Sequence, residues 1–238
     1  MASARRGYQK PRAALPMIDP PLVAWTTPAQ LPAHGLHVWR IRLSARPSPW
    51  DGIALPDDEV ARARRLVDPA ARARSLALRQ ATRAILARYV DAAPAALRFA
   101  REARGKPALV APPGELRFNL TDSRDLALLA VSRTGPVGID VEYVRAVQRR
   151  DGIARRLFAD GLVAALEHAP PADRDALFFR HWTAFEALQK ATGAGLAGPR
   201  TDPADWQVRH FVPAPGSVAA LAHGARVREP VFYFGVPD

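Results

Sequence analysis

The 238 residues contain no cysteine. Disulfides and thiolate metal centres are therefore excluded. No apolar run reaches the roughly 18 residues that a membrane-spanning helix needs. Near the N-terminus Arg5, Arg6, Lys10 and Arg12 supply positive charge, but no apolar segment follows them, so the sequence gives no secretory signal. These absences lead to the expectation of a cytoplasmic protein with no membrane partner. Lysine is scarce as well: Lys10, Lys106 and Lys190 are the only ones, and arginine makes up the rest of the 34 basic residues. No low-complexity segment occurs. What remains is a chain with 48% hydrophobic residues, enough for a sizeable core in one large domain or two small ones.

The net charge of +11 implies an acidic partner: nucleic acid, an anionic surface, a phosphorylated small molecule or an acidic protein. No helix-turn-helix, zinc-finger or RNP-type signature is present, which argues against nucleic acid. The planar guanidinium fork suits phosphate and carboxylate.

In chain order, residues 1–20 are basic and aperiodic and read as a mobile tail. Residues 37–43 alternate like a strand. Asp57, Asp58 and Glu59 open a short basic helix that carries Arg62. Asp68 and Pro69 then read as the N-cap and first residue of a long helix over 70–90. On that helix Leu76, Arg79, Arg83, Leu86 and Tyr89 recur at spacings of three and four. Its arginines are either a solvated face or, near a phosphate site, anion clamps. Short strands are expected over 97–99 and 116–120, with a turn at 104–107. Residues 126–131 and 137–142 read as a hairpin about the turn at 133–136. After an arginine-rich stretch at 145–156 comes a short amphipathic helix, then a long helix over 172–192 ended by Gly193. Strands at 206–208, 218–222 and 231–234 close the chain. The order of strand, helix and strands occurs twice, which hints at a duplicated α+β unit.

Two stretches carry chemistry. Along the strand 137–142, Val137, Ile139 and Val141 point to one face, and Gly138, Asp140 and Glu142 to the other. Two carboxylates held so close repel unless a cation intervenes or one is protonated. A hard divalent cation with oxygen ligands, most naturally Mg²⁺, satisfies them; an ordinary half-buried strand with a polar outer face is the alternative. On the long C-terminal helix Glu186 and Lys190 are four residues apart and share a side. They are either a surface ion pair or a third carboxylate beside a phosphate-binding lysine.

In combination these residues resemble the 4′-phosphopantetheinyl transferases of the larger, surfactin-synthetase type. Gly138-Ile139-Asp140-Val141-Glu142 is similar to that family's (V/I)-G-(I/V)-D-x-E. The run Trp182-Thr183-Ala184-Phe185-Glu186-Ala187-Leu188-Gln189-Lys190 is similar to W-(S/C/T)-x-K-E-(A/S)-x-x-K, and Gly193-Ala194-Gly195-Leu196 to G-x-G-L. Upstream, Gly105-Lys106-Pro107 resembles a G-K-P turn, Phe118-Asn119-Leu120-Thr121-Asp122-Ser123 resembles F-N-(I/L)-(S/T)-H-S, and the helix from Arg74 and Ser75 to Arg83 resembles the N-terminal helix.

The resemblance implies an α+β fold built as a pseudo-dimer: two similar α/β subdomains, each a small antiparallel sheet packed on a long helix, with the active site in the cleft between them. The expected divisions are the tail at 1–20, a coenzyme A-binding subdomain over 21–133, and a second subdomain over 134–238 with the metal carboxylates and carrier contact. The implied activity moves 4′-phosphopantetheine from coenzyme A to a serine of an apo acyl or peptidyl carrier protein and releases 3′,5′-ADP. By position, Asp140, Glu142 and Glu186 would hold Mg²⁺, with Mn²⁺ as the alternative. Glu186 would also act as the base, and Lys190 would contact a phosphate oxygen. Lys106, Thr121 and Asp122 fall at positions that meet coenzyme A phosphates, and Arg62 and Ser75 near its 3′-phosphate. Carrier proteins are typically acidic, and residues 149–158 are the expected contact, a plain solvated basic face being the alternative. The duplicated halves favour a monomer.

Two positions depart from the pattern. Asp122 stands where the family usually has histidine, and would repel phosphate unless a neighbour such as Arg124 compensates. Phe185 replaces a lysine before Glu186 and is expected to pack in the core. A catalytically weakened homologue that binds coenzyme A or a carrier is therefore the competing expectation.

Overall fold

The computed structural model describes residues 35–43, 48, 50–102, 105–193, 206–224 and 230–234. The tail at 1–20 and the Ala194-Gly195-Leu196 end of the last motif lie outside them.

α1 (Asp57–Arg64) starts on three acids and ends on Arg62 and Arg64, charges that complement the helix dipole. Asp68 caps α2 (Pro69–Tyr89): its side chain accepts from the amides of Ala70 and Ala71, and Pro69 takes the first helical position. Arg83 of α2 is buried and ties α1 to α2 through Glu59.

Strand parity then dictates four layers. β1 (Leu36–Arg42), β4 (Arg117–Ser123), β5 (Leu126–Ser132) and β9 (Val231–Phe234) form one sheet in the order β4-β5-β1-β9. Trp39, Ile41, Ala127, Leu129 and Val131 face α2, where Ala81, Ile85 and Leu86 cover them. The alternate residues Leu36, Val38, Leu126, Leu128 and Ala130 face a second sheet. There they meet Val137, Ile139 and Val141 of β6 (Val137–Tyr143), Phe211 of β7 (Trp206–Phe211), and Ala219 and Leu221 of β8 (Ser217–Gly224). This second sheet is antiparallel in the order β6-β8-β7. Its far side presents Ala220 and Ala222 to Ala187 and Ala191 of α5 (Arg174–Thr192). The fold is thus α+β, with small, mainly antiparallel sheets between two long helices. Among the described residues no helix is long and apolar enough to cross a membrane.

Several elements differ from the sequence reading. The expected hairpin between 126–131 and 137–142 does not form. β5 pairs with β4 and β1, while β6 pairs with β8. β5 is buried along its whole length, so it needs strands on both edges and cover on both faces. β6 supplies cover on one face, and alternation alone does not distinguish edge pairing from face packing. Residues 231–234 follow the second sheet in sequence but pair in parallel with β1 of the first. β2 (Arg98–Arg101) and β3 (Pro107–Ala111) form a separate two-stranded sheet, β3 being unread in the sequence. The single amphipathic helix expected after the arginine-rich stretch is two, α3 (Arg150–Leu157) and α4 (Asp160–His168).

Three histidines are held uncharged inside this fold. The Tyr89 hydroxyl accepts from Trp39 Nε1 at 2.7 Å and shares a hydrogen bond with His37 Nδ1 at 2.8 Å. Burial lowers His37 from 6.5 to about 4. Burial, helped by Arg180, does the same to His181, and to His210 with His181 adding its own repulsion. Well above pH 6.5 these rings are neutral in folded and unfolded chains alike, and their contribution to stability is fully present. As pH falls the unfolded chain takes up the protons first, so stability is lost progressively down to about pH 4. Thermal unfolding followed across this window is expected to show a falling midpoint; replacing His210 by Phe should flatten part of the decline, and an identical decline in that variant would contradict the assignment.

Candidate functional site

β6 and α5 meet at Gly138. A Cβ built there would lie 1.9 Å from the carbonyl oxygen of Ala187 and 2.4 Å from the amide nitrogen of Ala191. No residue but glycine allows the helix backbone to come this close to the strand. Glu186 and Lys190 flank that contact on α5, and Asp140 follows it by two residues on the same face of β6. The three side chains converge as a result. Lys190 Nζ lies 2.6 Å from Asp140 Oδ1 and 3.2 Å from Glu186 Oε2. Gly193, with φ of +68°, ends the helix immediately beyond.

The neighbouring edge of the first sheet completes the site. Alternate residues of β4 bond side by side to β6: Asn119 Oδ1 accepts from the Ile139 amide at 2.8 Å, Thr121 Oγ1 donates to Asp140 Oδ1 at 2.9 Å, and Ser123 Oγ donates to Glu142 Oε2 at 3.1 Å. Asn119 and Ser123 were not singled out from sequence. The signal was there: with Thr121 they occupy every second position of one strand.

Asp140 is 3% exposed. Loss of hydration pushes its carboxyl up to about 7; Lys190 opposes the rise and Glu186 adds to it. Lys190 loses hydration too, but Asp140 and Glu186 outweigh that loss and hold its ammonium above the usual lysine range. Asp140 Oδ2 is buried without a hydrogen-bond partner. That orphaned oxygen, in an all-oxygen donor set, fits a hard cation such as Mg²⁺. Glu142 is engaged by Arg145, whose Nη1 lies 2.8 Å from its Oε2. Among the described residues no three acidic or imidazole side chains are grouped as a metal site.

On the other side of β4, Phe118, Leu120 and Asp122 face a cavity of about 530 Å³ between that strand, α1, α2 and the β2–β3 hairpin. Such a volume suits a small organic ligand. Arg62, Arg74, Ser75, Arg79 and Arg101 also line it, so the candidate 3′-phosphate residues Arg62 and Ser75 share one wall with further arginines. Arg62 pairs with Asp58, and the Ser75 hydroxyl accepts from Arg79. Loss of hydration raises the Asp122 carboxyl, while Lys190, Arg74 and Arg79 pull it down. The positive charges that face Asp122 are thus Lys190 of α5 and the cavity arginines Arg74 and Arg79. Arg124 instead stacks on Tyr143, 4.7 Å from the ring centre.

Lys106 is placed differently from a free phosphate ligand: its ammonium donates to the carbonyls of Val137 and Lys190. Phe185 packs against the apolar cluster of Phe158, Phe178 and Val218. In the stretch 149–158, Arg150 pairs with Asp151 and Asp175, Arg155 pairs with Glu167, and Phe158 is buried. Arg149 and Arg156 are exposed.

Residues 136–230 match the model of the 4′-phosphopantetheinyl transferase superfamily. The chain is 37% identical over 217 residues to the 4′-phosphopantetheinyl transferase HetI of a Nostoc species, covering 83% of this chain and 91% of that one. It is 38% identical over 90 residues to the 4′-phosphopantetheinyl transferase AcpT of Salmonella typhimurium, covering 38% of this chain and 46% of that one. With the 4′-phosphopantetheinyl transferase psf-1 of Bacillus pumilus it shares 35% identity over 99 residues, 42% of this chain and 41% of that one.

Proposed function

Since the chain belongs to the 4′-phosphopantetheinyl transferases, enzymes that transfer phosphopantetheine to carrier proteins, we propose that coenzyme A is its donor, the serine of an apo acyl or peptidyl carrier its acceptor, and 3′,5′-ADP its leaving product. One observation carries this reading. Asp140, Glu186 and Lys190 converge at the Gly138 contact, beside a cavity whose walls hold five arginines.

The residues divide the work. Arg62, Arg74, Arg79 and Arg101 of the cavity bind the phosphates of the nucleotide end, where bidentate guanidinium contacts are strongest. Asp140 and Glu186 would hold Mg²⁺, with Glu142 as third ligand once it leaves Arg145. The ion, when bound, offsets negative charge on the pyrophosphate. Lys190 donates to a non-bridging oxygen of the phosphoryl group in transfer. Glu186 takes the proton of the carrier serine as its oxygen bonds to phosphorus. The bond from that phosphorus to the departing 3′,5′-ADP breaks, and the electron pair leaves with the nucleotide. Positioning and charge stabilisation do most of the catalysis in such a transfer.

Intact-mass measurement tests the proposal. With coenzyme A, Mg²⁺ and an apo carrier, the carrier is expected to gain the mass of one phosphopantetheine, and EDTA should abolish the gain. No gain across fatty-acid, polyketide and peptide carriers, with coenzyme A still bound, would instead identify a binding homologue weakened at Asp122 and Phe185.

A further inference from the structure

Lys106 stands in the turn between β2 and β3, next to Gly105, whose φ is +85°. Its amino group donates to the carbonyl of Val137, the first residue of β6, at 2.9 Å, and to the carbonyl of Lys190, in the last turn of α5, at 2.8 Å. The final carbonyls of a helix have no partner within it, and a cation there also meets the negative end of the dipole. One ammonium thus fastens the end of α5 to the start of β6. Both anchors adjoin the close approach of those elements, where Gly138 meets the backbone of Ala187 and Ala191. From one anchor, Lys190, the side chain returns to Asp140, three residues beyond the other.

We infer that Lys106 is a positioning residue of the transfer site: through the carbonyls of Val137 and Lys190 it sets where Lys190 Nζ stands relative to Asp140. The inference rests on the transferase reading of those two residues. The rest of the β2–β3 sheet gives Lys106 a second connection. That sheet is hydrogen-bonded to neither of the others, and Phe99, Ala100, Arg101 and Pro107 line the arginine-rich cavity. Lys106 therefore links the cavity wall to the Asp140–Lys190 pair.

The test compares the full-length protein with Lys106→Met, which keeps an unbranched side chain one atom shorter and removes its donors. Amide hydrogen exchange in the last turn of α5 is expected to quicken roughly 10-fold or more, with α2 unchanged, as local opening becomes easier. In single-turnover transfer at saturating coenzyme A the rate should fall about 10- to 100-fold, the range expected for a misplacement of order 1 Å. Coenzyme A affinity should stay within about 3-fold. In a Lys190→Met background Lys106→Met should add no further loss, because both act through one group. Should Lys106→Met not fold, Lys106→Gln, which retains one donor group, is measured the same way. Unchanged exchange in α5 would overturn the inference. So would losses that multiply in the double variant, or a coenzyme A affinity weakened about 10-fold or more at unchanged saturated rate, the mark of a direct phosphate contact. A wild-type protein that transfers to no carrier would sink the transferase reading instead, and the exchange measurement would still decide the role of Lys106.

Discussion

Gly138→Ala is expected to cost the protein most of its transfer activity and about 1–3 kcal/mol or more of stability, the usual range for overpacking a close-packed contact. The added methyl would fall 1.9 Å from the Ala187 carbonyl oxygen and 2.4 Å from the Ala191 amide nitrogen. Both atoms belong to the backbone of α5, so no rotamer change relieves the clash. The helix must retreat by about 1 Å or more, and a packed interior transmits such a shift. Glu186 and Lys190 bracket Ala187 on the same helix and move with it, away from Asp140. A misplacement of that order costs on the order of 100-fold in rate. Single-turnover transfer and denaturant unfolding of the variant check both parts. Wild-type rates in Gly138→Ala would show that the helix does not need this approach to place its side chains.

Arg83→Met carries the largest expected effect on stability alone. Arg83 is 2% exposed. Its guanidinium donates to Glu59 Oε1 at 2.6 Å and Oε2 at 3.3 Å, to the Pro94 carbonyl at 2.8 Å and to the Leu97 carbonyl at 3.0 Å. It also lies 5.1 Å from the centre of the Phe99 ring. Removing it leaves a poorly hydrated carboxylate and two carbonyls without their donor. Breaking a buried pair from one side costs about 3–5 kcal/mol. Adding Glu59→Gln should restore part of the loss, since the orphaned charge is then gone. Urea unfolding of the single and double variants measures both; equal stability of wild type and Arg83→Met would contradict the account. The residue thus belongs to the framework between α1, α2 and the segment 94–97, although its helical spacing from Arg79 makes the two look alike in sequence. Both line the cavity, but the donors of Arg83 are taken up by Glu59 and the carbonyls of Pro94 and Leu97.

That pair of arginines illustrates what sequence conveys and what it withholds. The cap of α2 at Asp68 and Pro69 and the carboxylate face of 137–142 follow from local rules of capping and alternation. The approach of α5 to Gly138 does not, because it depends on the helix and strand meeting after 30 intervening residues, 144–173. Gly138 is visible in sequence only as a member of a motif, and its reason is a neighbour's backbone. β5 and β6 show the same limit: a turn between two apolar runs suggests a hairpin, yet complete burial of β5 requires cover on both faces, and β6 is part of that cover. The family resemblance places Lys106 at a phosphate contact, whereas its partners in the fold are two carbonyls from other parts of the chain. Arg150 and Arg155 count as surface charge in sequence, and Asp175 and Glu167 neutralise them in the fold.

The most direct test of the site is single-turnover transfer to an apo carrier by Glu186→Gln, followed by intact mass and paired with calorimetric binding of coenzyme A. The side chain keeps its size and loses its charge and its basicity. If Glu186 acts with Asp140 as described, the rate falls by about 100-fold or more, the contribution expected of a positioned acid–base group, while coenzyme A still binds in the arginine-lined cavity. A variant that transfers phosphopantetheine at the wild-type rate would contradict the account and place the chemistry elsewhere.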